Sequence, residues 1–260
     1  MSDLAAGQRR SFSERLNEGG PVVGTIVTVA SEDVAEALSF GGLDWLLIDM
    51  LHSPLDIGDV QRLLQVVGNR CYTAVRIPET TETWVGKALD TGCDAIVLPG
   101  ITKVDDVLNA TRAAYYPPAG KRGIGIGRAN SYGMNFVQYM KTANDRVAFI
   151  VEIQDVDAIR SVEQITELPG VCGVLINPYD LSGTLSVFGQ MDHPDVRSAI
   201  DHIRSTCREA QMPVGMLCAN AILANREIQA GCTFIAVGSD MAVLCATMRQ
   251  IAADACQTAS

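Results

Sequence analysis

Three features are scarce in this 260-residue chain: clusters of basic residues, paired cysteines, and apolar runs long enough to cross a membrane. The formal net charge is −10, so the chain's electrostatic field repels nucleic acid and anionic lipid. The eight cysteines form no CxxC pair and lie mostly in apolar runs, as in a reduced protein. No apolar run approaches the ~20 residues that span a bilayer. We therefore expect a cytoplasmic protein that binds neither nucleic acid nor membrane.

Apolar residues, in contrast, make up 48% of the chain, and charged residues only 19%. A chain of this size can bury one large core, so we expect one domain over residues 1–260, with 1–20 as an N-terminal extension or helix. Eight short apolar runs indicate strands: Val22–Val29, Trp45–Asp49, Thr73–Arg76, Ala95–Leu98, Val147–Ile153, Gly173–Ile176, Val214–Leu217 and Phe234–Val237.

Amphipathic segments separate these runs, for example Asp56–Val67 and Asp155–Glu167, each opened by an aspartate that can cap a helix. The strand runs are continuously apolar, as expected of parallel strands that are covered on both faces. Eight such βα units favour an α/β fold of the (β/α)8 TIM-barrel type over an open doubly wound sheet of five or six strands.

In a barrel of this kind the active site forms at the C-terminal ends of the strands. Asp49 ends the strand WLLID and His52 follows it in the loop, which makes His52 the leading candidate for a general base. A loop histidine that only hydrogen-bonds Asp49 is the alternative. Arg76 ends the next strand and suits either an enolate or carboxylate ligand or a structural ion pair.

Oxygen-bearing side chains end two further strands. Glu152 and Gln154 lie two residues apart and therefore face the same side of their strand, while Asn177 and Asp180 follow the next strand. Glu152, Gln154 and Asp180 together offer oxygen ligands for a hard cation. Ordinary polar strand ends are an equally good interpretation of the pattern.

The order of these residues resembles the HpcH/HpaI aldolases, a family of class II 2-oxo-acid aldolases that includes 2-keto-3-deoxy sugar-acid and 2,4-dihydroxyhept-2-enedioate aldolases. The resemblance runs from about Gly24 to Leu244, and PPAGKRG and PYDLS are its fairly specific parts. The stretches that carry it are GLDWLLIDMLHSPLD, VRIPET, ALDTGCDAIVLPGI, YYPPAGKRGIG, VEIQDVDAI, GVLINPYDLS and AGCTFIAVGSDMAVL.

This resemblance implies roles for individual residues. His52 falls on the family's proton acceptor, Asp90 on the aspartate that raises the basicity of that histidine, and Arg76 on the arginine that stabilises the enolate oxygen. Tyr179 and Asp180 fall on residues whose backbone amides receive the substrate carboxylate, and Asp180 also falls on a metal ligand.

The resemblance also implies a divalent metal (Mg, Mn or Co), a 2-oxo acid and an aldehyde as small-molecule partners, and a homo-oligomer. Family members are commonly hexamers that exchange C-terminal helices, so Asp90 is expected to serve either its own site or that of a neighbouring subunit.

The chain departs from the family pattern at three places. Leu51 replaces a glutamate, and the family order Gln-x-Glu is reversed to Glu152-x-Gln154. A metal then either keeps its place beside Gln154 or follows Glu152, up to ~6.7 Å along the strand. Asn177 and Tyr179 replace a glycine and an alanine.

Three functions remain open on the sequence. The first is a metal-dependent carbon–carbon lyase that cleaves or forms a 2-oxo-acid aldol through a pyruvate-type enolate. The second is a condensing enzyme of a biosynthetic pathway that uses the same enolate, as a citrate-synthase-like branch of the family does. The third is a barrel that has lost catalysis and retains small-acid binding or an assembly role.

Overall fold

The structure is a computed structural model and describes residues 9–257, which form eight strands and twelve α-helices. The strands are β1 (Val22–Val27), β2 (Trp45–Asp49), β3 (Tyr72–Arg76), β4 (Ala95–Leu98), β5 (Phe149–Ile153), β6 (Val171–Ile176), β7 (Val214–Cys218) and β8 (Phe234–Ser239). The helices are α1 (Phe12–Asn17), α2 (Glu32–Ser39), α3 (Ile57–Val67), α4 (Glu82–Asp90), α5 (Val104–Ala114), α6 (Phe136–Thr142), α7 (Val156–Arg160), α8 (Val162–Thr166), α9 (Pro178–Thr184), α10 (Pro194–Glu209), α11 (Ala221–Gln229) and α12 (Asp240–Gln257).

All eight strands are parallel and pair in chain order, and β1 closes the barrel by pairing with β8. The register of β2 against β3 places Trp45 beside Tyr72 and Asp49 beside Arg76. The predicted (β/α)8 barrel is therefore confirmed.

Alternate residues of each strand point into the barrel. In β2, Trp45 and Leu47 pack in the interior with Phe234, whereas Leu46 packs outward against the helices. Asp49 has the same parity as Trp45 and Leu47, so its side chain also enters the barrel. The interior is thus apolar near the strand starts and polar where the strands end.

The helix α1 covers the end of the barrel where the strands begin. Its first residue, Phe12, is buried and lies 5.7 Å from the ring of Trp45 and 5.0 Å from that of Tyr72, centroid to centroid. A capping box formed by Ser11 and Glu14 begins the helix. Residues 1–8 of the predicted N-terminal extension lie outside the described residues.

Six of the eight predicted strands differ from the observed ones by one or two residues at an end. For two predicted elements, one strand and one helix, the difference has a clear local reason. The strand predicted to reach Val29 ends at Val27, because the N–H groups of Thr28 and Val29 donate to the carboxylate of Asp240. The helix predicted over Asp155–Glu167 is divided at Ser161, whose φ and ψ of −105° and 0° interrupt the helical backbone between α7 and α8.

The helix α12 ends the described chain and packs loosely. Its residues from position 241 to 256 are exposed, and they include five large apolar side chains: Met241, Val243, Leu244, Met248 and Ile251. Among residues 9–257, no helix combines the length and the apolar character that crossing a membrane requires.

Candidate active site

An ion pair between Arg76 and Asp49 lies at the C-terminal mouth of the barrel. Arg76 Nε donates to Asp49 Oδ1 at 2.9 Å, and Nη2 donates to Oδ2 at 2.7 Å. The pair forms because β2 and β3 place the two residues side by side, both pointing inward. Arg76 is only 3% exposed, so this two-point contact is made away from bulk water.

The same guanidinium also contacts Glu152 on β5. Arg76 Nη1 donates to Glu152 Oε1 at 2.9 Å. Glu152 is 0% exposed, and burial raises the pKa of its carboxyl above the ordinary value, although Arg76 and Asn177 lower it in part. Burial by itself would lower the pKa of Arg76, but the two acids more than offset this and raise it. The guanidinium therefore stays charged.

Asn177, at the end of β6, connects Glu152 to Asp180. Its Nδ2 lies 3.0 Å from Glu152 Oε1 and 2.7 Å from Asp180 Oδ2, and its Oδ1 accepts from the backbone N–H of Asp180. Asn177 is thus both the cap of α9 and a link between two acids. The sequence predicts only that Asn177 is a polar residue at the end of a strand. It does not predict that this side chain donates hydrogen bonds to both Glu152 and Asp180.

His52 lies in the loop after β2, and Asp49 orders that loop. Asp49 Oδ1 accepts from the backbone N–H groups of Leu51 and His52 at 2.9 and 3.3 Å. The contact between Asp49 and His52 therefore runs through the backbone and leaves the imidazole available. The ring is exposed beside Leu51, which lines the cleft described below.

Asp90 does not lie at the mouth of the barrel with the other predicted site residues. It ends α4, which runs back towards the strand starts, so it lies at the opposite end of the barrel from His52. Its carboxylate accepts from Arg122 Nη2 at 2.6 Å, and its side chain is 50% exposed. Within one chain, Asp90 and His52 are not brought together.

Tyr179 and Asp180 occupy the second and third positions of α9, after Pro178. The Tyr179 side chain is exposed, whereas Asp180 is partly buried and lines the cleft.

The cleft at the mouth has two lobes that meet at Gly100, Thr102 and Gln154. The first lobe, of about 360 Å³, is also bordered by Asp180 and Phe188. The second lobe has about 470 Å³, and its remaining lining includes Leu51, Glu79, Thr80, Thr81, Lys103 and Asp106. Gln154 is therefore central, and the volumes suit a small molecule.

Two buried oxygens beside this cleft have no hydrogen-bond partner: Glu152 Oε2 and Gln154 Oε1. Unpaired buried oxygens are costly and suit a hard cation. The net formal charge of the site is −2 when Asp49, Glu152 and Asp180 are ionised and Arg76 is protonated. A divalent cation balances this charge. Among the described residues, no three His, Cys, Asp or Glu side chains form a metal group, so the third donor here would be the amide oxygen of Gln154. The residues present fit a divalent cation on this donor set.

A closed barrel of parallel strands with an arginine and carboxylates converging at its C-terminal mouth defines an enzyme of the TIM-barrel class. The chain belongs to the HpcH/HpaI aldolase/citrate lyase family, whose model matches residues 23–246. It is 35% identical to the 4-hydroxy-2-oxo-heptane-1,7-dioate aldolase of Shigella sonnei (strain Ss046) over 245 residues, 94% of each chain.

Two further relatives agree with this assignment. A hydroxypyruvate/pyruvate aldolase of Paraburkholderia phytofirmans (strain DSM 17436 / LMG 22146 / PsJN) is 35% identical, over 92% of this chain and 95% of the relative. The crystal structure of an HpcH/HpaI aldolase/citrate lyase family protein from Burkholderia cenocepacia J2315 superposes with a TM-score of 0.90 at 32% identity, covering 94% of this chain and 98% of that one. The predicted family, fold and enzyme class, a carbon–carbon lyase of the aldolase type, are confirmed.

Proposed function

We propose that this protein is a divalent-metal-dependent aldolase that cleaves a 4-hydroxy-2-oxo acid into pyruvate, or a close analogue, and an aldehyde, and catalyses the reverse addition. The observation that carries this is the cluster of Asp49, Arg76 and Glu152 beside the unpaired oxygens Glu152 Oε2 and Gln154 Oε1. Relatives named as aldolases of 2-oxo acids support the substrate class.

Glu152, Gln154 and Asp180 would hold the cation, which we expect to be Mg, Mn or Co. Bound there, it supplies Lewis-acid polarisation of the 2-oxo group. We assign the substrate carboxylate to the start of α9, beside Tyr179 and Asp180. The second lobe of the cleft, on the other side of Gln154, then receives the aldehyde portion.

Arg76 stabilises the negative charge that develops on the 2-oxo oxygen during cleavage. An arginine carries five N–H donors, and the contacts with Asp49 and Glu152 use three of them. Two donors remain for a substrate oxygen. Because the two acids already fix the guanidinium, little reorganisation is needed when charge develops.

His52 takes the proton of the aldol hydroxyl, through a water molecule. An imidazole accepts and returns protons under physiological conditions, as both directions of the reaction require. Asp49 positions this group indirectly, because its carboxylate orders the loop through the backbone of Leu51 and His52.

We further propose a cytoplasmic homo-oligomer, a hexamer in which C-terminal helices are exchanged. The exposed apolar side chains of α12 support exchange, because burying them against another copy removes apolar surface from water. In such an assembly Asp90 would act in a neighbouring subunit's site, which its position far from His52 supports. All eight cysteines are free thiols, as in a reducing compartment.

The test is pyruvate release from 4-hydroxy-2-oxo acids by wild type and by a His52→Asn variant, after EDTA treatment and after Mn²⁺ addition. We expect release that depends on Mn²⁺ and falls by roughly 100-fold or more in the variant. Undiminished release in EDTA would exclude metal dependence. Citrate formation from acetyl-CoA and oxaloacetate without any pyruvate release would replace the aldolase by a condensing enzyme, and inertness in all assays would favour a barrel without catalysis.

A further inference from the structure

The side chain of Asn177 is fully engaged with the acids of the candidate site. An asparagine amide has two N–H donors, and both point at carboxylates: one at Glu152 Oε1, 3.0 Å away, and one at Asp180 Oδ2, 2.7 Å away. The amide oxygen accepts from the backbone N–H of Asp180 at 3.4 Å. Asn177 is buried, so water does not substitute for these contacts.

These contacts also fix which way the amide points. If the amide were rotated by 180°, its oxygen would face two carboxylate oxygens without a hydrogen between them, and the contact with the Asp180 N–H would be lost. Only the orientation described above satisfies all three partners. The separation of Glu152 and Asp180 therefore depends on one rigid, neutral group.

The neutrality of Asn177 distinguishes it from the other partner of Glu152. Arg76 brings Glu152 and Asp49 together by adding a positive charge. Asn177 brings Glu152 and Asp180 together without adding one, so their negative charge remains available to a cation. Two carboxylates held near each other without such donors would repel each other.

Each acid retains binding capacity after these contacts. Glu152 Oε2 is buried without a partner, and the same is true of Gln154 Oε1 two residues further along the chain. Asp180 lines the cleft together with Gln154. Asn177 therefore leaves Glu152 Oε2 and Gln154 Oε1 without a partner, and Asp180 and Gln154 border the same lobe of the cleft.

We propose that Asn177 is a positioning residue that sets the separation of Glu152 and Asp180, so that these acids and Gln154 bind one divalent cation together. The inference rests on the metal site of the proposed function. It adds to that site the side-chain amide of the residue that follows β6, which does not itself touch the cation.

The experiment is a titration of purified protein with Mn²⁺, followed by electron paramagnetic resonance, for wild type and three variants. Asn177→Ala removes both the link and the helix cap. Asn177→Ser keeps an oxygen that caps α9, but its single O–H cannot donate to both acids. Asn220→Ala is the matched control, because Asn220 follows β7, caps α11 through Leu223 N–H and contacts neither acid.

We expect both Asn177 variants to bind Mn²⁺ roughly tenfold or more weakly than wild type, and Asn220→Ala to bind within about twofold. Circular dichroism identifies which variants are folded, and Asn177→Ser carries the test if Asn177→Ala is not. Mn²⁺ affinity of Asn177→Ser within about twofold of wild type would overturn the proposal. Equal weakening in Asn177→Ser and Asn220→Ala would also overturn it, because the effect would then not be specific to the link.

The outcomes separate this inference from the proposed function. If wild type binds Mn²⁺ but releases no pyruvate, the aldolase proposal fails while the affinities still decide the role of Asn177. If wild type binds no Mn²⁺ at millimolar concentration, the metal site fails, and the role of Asn177 fails with it.

Discussion

Asp49 and Arg76 face each other in register on β2 and β3 and are joined by two hydrogen bonds of 2.7 and 2.9 Å. The third contact of the guanidinium, to Glu152, makes Arg76 the shared partner of two buried acids. Removal of that partner would leave two carboxylates close together in a region of low dielectric.

Arg76→Lys tests this shared role. A lysine keeps the charge but cannot make the two-point contact with Asp49 and also reach Glu152, because it lacks the planar fork. We expect the free energy of unfolding to fall by about 3 kcal/mol, towards the cost of breaking a buried pair. Aldolase activity should fall by roughly 100-fold or more. Urea denaturation and steady-state kinetics check both effects, and activity within fivefold of wild type would exclude a role for the fork.

Gln154→Glu tests the order of the two polar residues at the end of β5, Glu152 within the strand and Gln154 directly after it. The unpaired amide oxygen of Gln154 would be replaced by a carboxylate at the junction of the two lobes. We expect Mn²⁺ to bind roughly tenfold more tightly, because ligand charge raises the affinity for hard cations. Isothermal titration calorimetry measures this, with Gln164→Glu on α8 as the control. Unchanged affinity would place the cation away from residue 154.

Glu152→Gln tests the effect of burial on the acid. Burial raises the pKa of Glu152 above its ordinary value of 4.5, so the folded protein keeps a proton that the unfolded chain releases. In the metal-free protein, stability should therefore fall as pH rises upward from about 4.5, and Glu152→Gln should remove this part of the fall.

The measurement is the urea midpoint of EDTA-treated protein across this pH range. Exposed Glu163 supplies the control variant Glu163→Gln, which should follow the pH dependence of wild type. Parallel pH curves for all three proteins would contradict the raised pKa.

Gly215→Ala tests the packing of the barrel interior. An added Cβ at Gly215 would lie 2.4 Å from the ring of Phe234, which is fully buried and has little room to move. We expect a loss of about 1 to 3 kcal/mol. Gly86→Ala on α4 is the matched control: nothing lies within 4 Å of its added Cβ, so it should stabilise by up to about 1 kcal/mol. Thermal unfolding compares the two, and equal effects would contradict this account.

The sequence predicts the barrel well because buried parallel strands read as continuous apolar runs and because capping aspartates mark the helices. It also predicts that Asp49, Arg76, Glu152 and Gln154 share one end of the barrel, since each ends a strand. Side-chain parity then turns them inward together.

The connections between these side chains are harder to predict. Asn177 links β5 to the start of α9 through an amide, and nothing in the order of the residues indicates which way that amide points. The place of Asp90 depends on the direction of α4 and on the packing of Arg122, both of which arise from the tertiary fold. The break at Ser161 is a local backbone feature that an amphipathic pattern does not register.

The position of Arg76 also constrains how this protein could change during evolution. Its guanidinium connects β3 to β2 and β5 by hydrogen bonds, and the side chain of Asn177 extends this network to the end of β6. Side-chain hydrogen bonds therefore join half of the strands at the mouth of the barrel. A mutation that widened the mouth would have to break a buried ion pair. New substrate ranges are therefore more accessible through the loops around Thr80, Lys103 and Phe188, which border the cleft and belong to no strand. The residues proposed to act in catalysis are thus the same residues that hold the strand ends together, so they are constrained by both roles. The loops that border the cleft carry neither constraint.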